Sequence, residues 1–480
     1  MSPDRRVYLL DARHLSPETI AVTFAKTSRS PESFQDIAQE LTDSKSAEFH
    51  EKWVVGYGHS SIAEHAVLHI ALENISRLAI EPIEGNRLAS YTEKSSRYQK
   101  WGRDFFHTPQ ELENHPLRTE YIQTCSRLLD FYQKSLEVTR NIVAAENPKK
   151  DGESDTAWEQ RIRSKFADSC RYILPASALA NVGVTINARS LEHALCKMLS
   201  HPLAEVRAIG TEIQKVAQET VPTLVKYVCS KTFLQEIQNN FSNIAQSIPK
   251  TTGEFEDWCN LIQYDPQNDQ NVLASALYRY GALSFQDALS YVKSCSTQQL
   301  EKLADILFSD LGKYDSPIRE VEHSTYKFDL ILDQGAYFEL KRHRMMTQTV
   351  QELSTNLGYA VPSLISRANL EEEYHAVMQA AHQTYQRLAE ISPYLAAYIV
   401  PNAYNRRVLL TMNYRSAHHL IALRTAPNAH FAIRRVAHRM AEEISKVSPI
   451  IGNRLRISTS ETWQAVETEY FTQTRCMVNP

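Results

Sequence analysis

The sequence predicts an α+β fold with more helix than strand, built twice in tandem. Three observations predict it. Glycine is scarce, 13 residues in 480, well below the roughly 7% of an average chain, which disfavours a glycine-rich loop architecture. Apolar residues recur at three- and four-residue spacing over long stretches and alternate only over short ones. Short motifs of the first half return in the same order in the second.

SFQD at 33–36 returns at 284–287. EHA at 64–66, within GHSSIAEHAVLHIALE, answers EHS at 322–324, within YDSPIREVEHSTYKFDLIL. YILPASALANVGVTINARS (172–190) answers YIVPNAYNRRVLLTMNYRS (398–416), and Pro175, Asn187, Arg189 and His193 match Pro401, Asn413, Arg415 and His419 at one offset of 226. The earlier pairs stand 251 and 258 apart. Constant order with drifting offsets is what duplication followed by insertion and deletion leaves. The copies run over 1–235 and 259–480, with 236–258 between them. Much of that stretch, SNIAQSIPKTTGEFEDW, is polar without a clear period and reads as a linker. The charged run ENPKKDGESDTAWEQR (146–161) reads as a surface loop.

Taken in order, VYLLDA (7–12) and NLIQYD (260–265) predict short strands. Residues 34–54 and 285–312 predict amphipathic helices. Ser61 and Glu64 have capping-box spacing, and Ser316-Pro317 offers a hydroxyl cap with proline at the first helical position. The partly alternating runs AVLHIALEN and STYKFDLILD predict strands. Residues 117–145, 188–220, 369–391 and 414–447 predict long helices.

Lys+Arg total 52 and Asp+Glu 56, a net charge of −4. This excludes a broadly basic nucleic-acid coat but leaves room for a local basic pocket. No stretch of about 18 uncharged apolar residues is present, so no membrane span is expected. The first residues lack the apolar core of a signal peptide. Seven scattered cysteines without a CxxC pair fit reduced thiols and a cytoplasmic location, and give no zinc pattern. His418 and His419 adjoin on a predicted helix and face different ways, so no metal pair is expected. Gly56-Tyr-Gly58 begins a GxGxx pattern, but Ser61 stands where a third glycine belongs, so no dinucleotide fingerprint follows.

Copy two carries Arg342-His343-Arg344 after its predicted strand. Adjacent cations are costly to bury without an anion, and guanidiniums grip phosphate bidentately. The triplet is either a phosphate clamp or a solvated basic turn. Copy one has Gly85-Asn86-Arg87 in that slot, followed by Glu93, Ser95 and Arg97 at alternating positions. If extended, these share one face. They would suit a phosphate and a polar ring edge, or form an edge-strand ion pair. His65 and His323 are candidates for either a ligand contact or a core histidine bonded to backbone.

The order GH-x-S-x-x-EH, RHR-x-x-S, E-x-S-x-R-Y, R-x-x-LP and N-x-RS resembles the flavin-dependent thymidylate synthases, nearly end to end and twice. The resemblance implies two copies of that family's α+β domain, each with a small antiparallel sheet. It implies FAD held by Arg342, His343, Arg344, Asn413 and Arg415, with His65 and His323 near the flavin ring. It implies a pyrimidine nucleotide, most directly dUMP, held by Glu93, Ser95, Arg97 and Arg171, with Arg424 on the uracil ring as the catalytic donor. Glu352 stands where copy two's E-x-S-x-R should begin. Methylenetetrahydrofolate would supply the carbon and NADPH the hydride, yielding dTMP. Motif losses are complementary: nucleotide-phosphate residues remain in copy one, flavin residues and Arg424 in copy two. The family's homotetramer then implies a homodimer acting as a pseudo-tetramer. Glu339 stands where the family has a nucleotide-contacting Gln, which keeps open a different nucleotide or an RNA base as substrate. A non-catalytic nucleotide-binding scaffold is a third reading.

Overall fold

Each copy contributes an antiparallel sheet where its alternating run predicts one. The computed structural model describes residues 6–27, 30–56, 60–249 and 257–477. They gather into two units. The first holds Met1–Lys94, His107–His115 and Ala178–Thr251, and the second Ser95–Phe106, Pro116–Ser177 and Thr252–Pro480. The units therefore do not follow the repeat, because the second takes Arg97, Arg171 and two long helices out of copy one.

In the first unit, β1 (Val67–Ser76), β2 (Ala89–Glu93) and β3 (Leu179–Asn187) lie in the order β1-β3-β2, all antiparallel. Along β3, Ala180, Val182, Val184 and Ile186 are buried and the residues between them are not. This is the two-residue period of a sheet with one covered face. β1 bulges between Leu72 and Ile75, with Asn74 at φ 55°, a left-handed conformation that asparagine tolerates well.

In the second unit, β4 (Cys259–Tyr264), β5 (Tyr326–Asp333), β6 (Thr347–Val350) and β8 (Asn405–Met412) lie in the order β4-β5-β8-β6, while β7 (Tyr359–Pro362) pairs with β9 (Phe471–Cys476). Tyr326, Phe328 and Leu330 of central β5 are fully buried. The helix Phe431–Val447 packs on β4 and β5. It buries Phe431, Val436, Met440 and Ile444, an apolar stripe at helical spacing.

Within this unit the matched segments of the two copies pair with each other. Ala176 donates its N–H to the Val400 carbonyl at 3.0 Å, and Asn402 donates to the Leu174 carbonyl at 3.0 Å. Ser177 donates to Tyr398 at 2.8 Å and Ala403 to Tyr172 at 2.9 Å. Each bond is the mate of its partner under the 226-residue offset, so a local two-fold runs through the bridge between Pro175 and Pro401. The helices Arg118–Glu146 and Glu371–Ala389 meet through the Thr124 and Thr384 hydroxyls at 2.9 Å, with ion pairs Lys134–Glu373 and Arg387–Glu120 alongside. Two copies of one sequence thus make, inside one chain, the self-complementary contact expected of a symmetric dimer.

Several expectations need correction. Residues 7–12 form no strand, and Val7 and Leu9 are exposed. The copy-two counterpart does form a strand because β5 offers it an edge, and strand formation depends on such a partner. The helices expected over 34–54 and 285–312 break at Thr42 and Ser296, whose hydroxyls cap Asp43–His50 and Thr297–Phe308. Those over 188–220 and 414–447 break near Pro202 and Pro427 into Ala188–Leu199, Ala204–Gln218, Tyr414–Arg424 and Phe431–Val447. Ser61 lies inside the 3₁₀ turn Ser60–His65 and does not cap it, and the turn Arg319–Glu322 begins beyond Pro317. The predicted loop 146–161 is helical from Asp155, and the predicted linker is helical through Ser247. Tyr57, Gly58 and His59 of the glycine pattern, and residues 250–256 of the linker, lie outside the described residues. No helix among the described residues is long and apolar enough to cross a membrane.

Asp333 gives the second unit a testable pH signature. It caps the helix Gln334–Leu340, its Oδ1 accepting from the Ala336 N–H at 2.8 Å. Burial pushes its carboxyl up to about 6, against the opposing Ala336 bond and Arg435 charge. The fold then favours the protonated form, so stability is full below about pH 4 and falls as pH rises through about 6. Asp333→Asn keeps an amide able to cap. It is expected to raise unfolding stability at pH 7 by about 2 kcal/mol and to flatten the profile between pH 4 and 6 in denaturant titrations.

Candidate functional site

The second unit holds a cavity of about 500 Å³ whose wall includes Arg342, His343, Arg344, Asn413 and Arg415. Local structure explains why these five converge. Arg342–Arg344 form the turn between the helix Gln334–Leu340 and β6, and β6 is held by β8. Asn413 caps the helix that follows β8, its side-chain oxygen accepting from the Ser416 N–H at 2.9 Å. Arg415 sits in that helix's first turn and pairs with Glu322 at 2.9 Å. Lys313 and Arg456 add positive charge to the wall, against Asp315 and Glu322.

The imidazoles beside this wall are neutral. Burial, then the Arg424 charge, pull His343 down to about 3. Burial and Arg456 pull His418 down to about 4. Positive charge at the cavity therefore comes from guanidiniums and Lys313 at any ordinary pH. His343 accepts from the Arg424 Nε–H through its Nε2 at 2.9 Å, which leaves the ring proton on Nδ1. The fold thus favours uncharged His343: its contribution is full above about pH 6.5 and is lost as pH falls towards 3. His343→Asn, which keeps an acceptor, is expected to flatten the acid limb of stability between pH 6.5 and 4, read by thermal unfolding at stepped pH.

Behind the cavity lies a cluster drawn from both copies. Arg424, the last residue of its helix, donates from Nη1 to Glu339 Oε2 at 2.5 Å. Burial alone would raise the Glu339 carboxyl, but Arg171, Arg424 and Arg342 outweigh it and hold the group at about 2. Arg97 grips Asp168 with two donors, Nε at 2.7 Å and Nη2, and donates from Nη1 to the Asn428 carbonyl at 2.9 Å. Arg171 is 5% exposed and donates from Nη1 to Ser96 Oγ at 3.3 Å, while its Nε and Nη2 have no hydrogen-bond partner. Buried donors of this kind call for an acceptor. His430 completes the floor: its Nδ1 accepts from the Ala432 N–H at 3.2 Å and its Nε2–H donates to the Asp168 carbonyl at 3.1 Å.

The remaining candidates have other partners. Ser95 Oγ accepts the Arg97 N–H at 3.2 Å, and the hydroxyl facing Arg171 is that of Ser96. Glu93 belongs to the first unit, buried against Arg77 at 3.2 Å. His65 is also in the first unit, its ring 5.0 Å from that of Phe24. Glu352 is exposed in the loop after β6, where its charge acts on Tyr385. His323 does not line the cavity of Arg342–Arg344; it borders clefts of about 730 and 310 Å³ beside Phe285. Sequence reasoning missed Asp168, Ser96 and His430. Only Asp168 left a trace, as a carboxylate one helical turn before Arg171.

The family model of the thymidylate synthase complementing protein matches residues 9–223 and 260–450, once in each copy. The chain belongs to the flavin-dependent thymidylate synthase family. Its fold is two tandem copies of that family's α+β domain. A "UPF0159 protein" of Chlamydia muridarum is 29% identical over 441 residues, covering 88% of this chain and 83% of its own. A flavin-dependent thymidylate synthase of Clostridium tetani is 25% identical over 217 residues, 44% of this chain and 82% of its own. The flavin-dependent thymidylate synthase ThyX of Helicobacter pylori, solved with FAD and dUMP, aligns at 21% identity and a TM-score of 0.29, over 46% of this chain and 98% of its own.

Proposed function

We propose that the chain is an FAD-dependent enzyme that transfers a one-carbon unit to a pyrimidine nucleotide, most directly dUMP to dTMP with methylenetetrahydrofolate and NADPH. One observation carries the reading: guanidiniums of both copies, Arg97 and Arg171 from one and Arg342 and Arg424 from the other, act on the single carboxylate Glu339. FAD suits the adjoining cavity by chemistry. A diphosphate needs fixed cations, and Arg342, Arg344 and Arg415 line a wall where the histidines carry no charge. Bound there, FAD would supply the redox step of the reaction.

The chain's own residues would bind and orient. Arg171, with two buried donors unsatisfied, is the best-prepared phosphate ligand. Arg97 is already saturated by Asp168 and Asn428, so it would hold the cluster's shape unless a phosphate displaces Asp168. The pyrimidine C5=C6 bond conjugates with the C4 carbonyl, and C6 is electrophilic. Charge that builds on the ring would be stabilised by Arg424, whose direction is set by Glu339 and His343 before the reaction begins. No nucleophilic side chain is required, and the protein works by positioning. Under the 226-residue offset Arg171 becomes Ala397 and Arg424 becomes Met198, so each chain would keep one site of this kind and a dimer would hold two.

Glu339 favours a second reading. An ionised carboxylate accepts hydrogen bonds and offers none, so the site would take a base that presents an N–H there. That fits N3–H of uracil and also the exocyclic amine of cytosine. The test is mass spectrometry of product formed from dUMP, UMP or dCMP with methylenetetrahydrofolate and NADPH, alongside the visible spectrum of the purified protein. Yellow protein that makes dTMP supports the first reading, and yellow protein active only on another nucleotide supports the second. Colourless protein that takes up no FAD refutes both and leaves a nucleotide-binding scaffold.

A further inference from the structure

The mouth of the cavity of Arg342–Arg344 carries an aromatic side chain that the binding of phosphate does not use. Tyr314 lines the cavity and is 90% exposed. It stands in a turn closed by the Asp315 N–H, which donates to the Gly312 carbonyl at 3.1 Å, and by the Gly312 N–H, which donates to Asp315 Oδ2 at 2.8 Å. A side chain at Gly312 would meet that carboxylate at 2.9 Å, so glycine permits the closure. One guanidinium pins the turn from behind. Arg456 donates from Nη1 to the Lys313 carbonyl at 2.8 Å and from Nη2 to the Leu311 and Gly312 carbonyls at 3.0 and 2.9 Å. A single exposed aromatic needs no explanation. One whose backbone is already fixed at a cavity mouth loses little freedom when a planar ring stacks on it.

Its place in the cavity indicates which ring. The wall helix Tyr414–Arg424 has Arg415 in its first turn and Arg424 as its last residue. At about 1.5 Å per residue, these two stand roughly 13 Å apart along the axis. The Tyr314 turn belongs to the Arg415 end. The Arg456 charge bears on His418, one helical turn after Arg415, and Ser316 and Pro317 continue the wall towards Glu322, the partner of Arg415. The pyrimidine of the proposed reaction lies at the other end, with Arg424, and the isoalloxazine must reach it. With the diphosphate on Arg342, Arg344 and Arg415, the adenine at the far end of that diphosphate falls beside Tyr314.

We propose that Tyr314 is the adenine platform of this cavity and sets its preference for FAD over FMN, which shares the isoalloxazine and lacks the adenine. The inference rests on the FAD reading and deepens it. The test is calorimetric titration of the flavin-free full chain with FAD and with FMN, a binding measurement that needs no turnover. Wild type should bind FAD more tightly than FMN. Tyr314→Ala should weaken FAD by about 5-fold or more, the usual cost of removing a base-stacking ring, and leave FMN unchanged. Tyr314→Phe, which keeps the ring, should bind FAD as the wild type does. Thermal unfolding should hold in both variants, because the side chain is part of no core. Equal weakening of FAD and FMN by Tyr314→Ala overturns the proposal and leaves the FAD reading standing, as does a variant that binds FAD unchanged or a wild type that binds FMN as tightly as FAD. Wild type that binds neither flavin overturns both.

Discussion

Arg342→Ala is expected to leave the purified protein with little or no bound flavin, while Arg171→Ala leaves flavin in place and weakens the nucleotide. Arg342 is the exposed member of its triplet and lines the cavity, so removing it disturbs no core. A charge-assisted hydrogen bond is worth about 1.5–3 kcal/mol, or roughly 10- to 100-fold in flavin affinity. Arg171 is buried, with two donors that lack an acceptor. Losing it removes about the same energy from the nucleotide and leaves no carboxylate orphaned, because Asp168 keeps the grip of Arg97. The check is flavin absorbance after gel filtration, followed by nucleotide titration by calorimetry. If both variants shed flavin to the same degree, the division between an FAD wall and a nucleotide cluster is wrong.

Arg424→Ala is expected to lower kcat by about 10²–10³-fold, the usual cost of losing one preorganised donor to developing charge. It should also lower stability, by about 2–3 kcal/mol, because Glu339 would stay buried without its 2.5 Å partner. The two losses can be separated. Glu339→Gln in the Arg424→Ala background removes the orphaned charge and should restore most of the stability while leaving kcat low. Glu339→Gln alone should keep Arg424 charged but less firmly aimed, so kcat falls by less than in Arg424→Ala. Denaturant unfolding and single-turnover rates on all four proteins form a double-mutant cycle. Recovery of kcat in the double variant would mean that Arg424 only neutralises Glu339 and has no part in catalysis.

Much of the cavity wall was legible from residue order. Arg342, His343 and Arg344 adjoin in sequence, and Asn413 and Arg415 lie two apart at a helix start, so the fold had only to bring two short segments together. The cluster behind them was less legible. Asp168, Ser96 and His430 come from three distant segments and carry no motif of their own. Arg97 reads as a ligand in sequence because its carboxylate partner is 71 residues away. Ser95 shares a face with Glu93 and Arg97 only if the chain is extended, but β2 ends at Glu93 and the chain then turns.

By itself the sequence determined that the chain is a duplication, that each half mixes helices with a few strands, and which basic residues survive in which half. Those are local properties: periodicity, composition and the order of short motifs, all readable without knowing what touches what. Only the tertiary structure decided that residues of the two halves meet within one chain. It did so through the reciprocal hydrogen bonds around Pro175 and Pro401, a contact between segments 226 residues apart. It also decided which guanidiniums are occupied and which are not. Burial and pairing belong to the packed molecule, and the same arginine is a ligand or a cross-link according to which carboxylate the fold sets beside it.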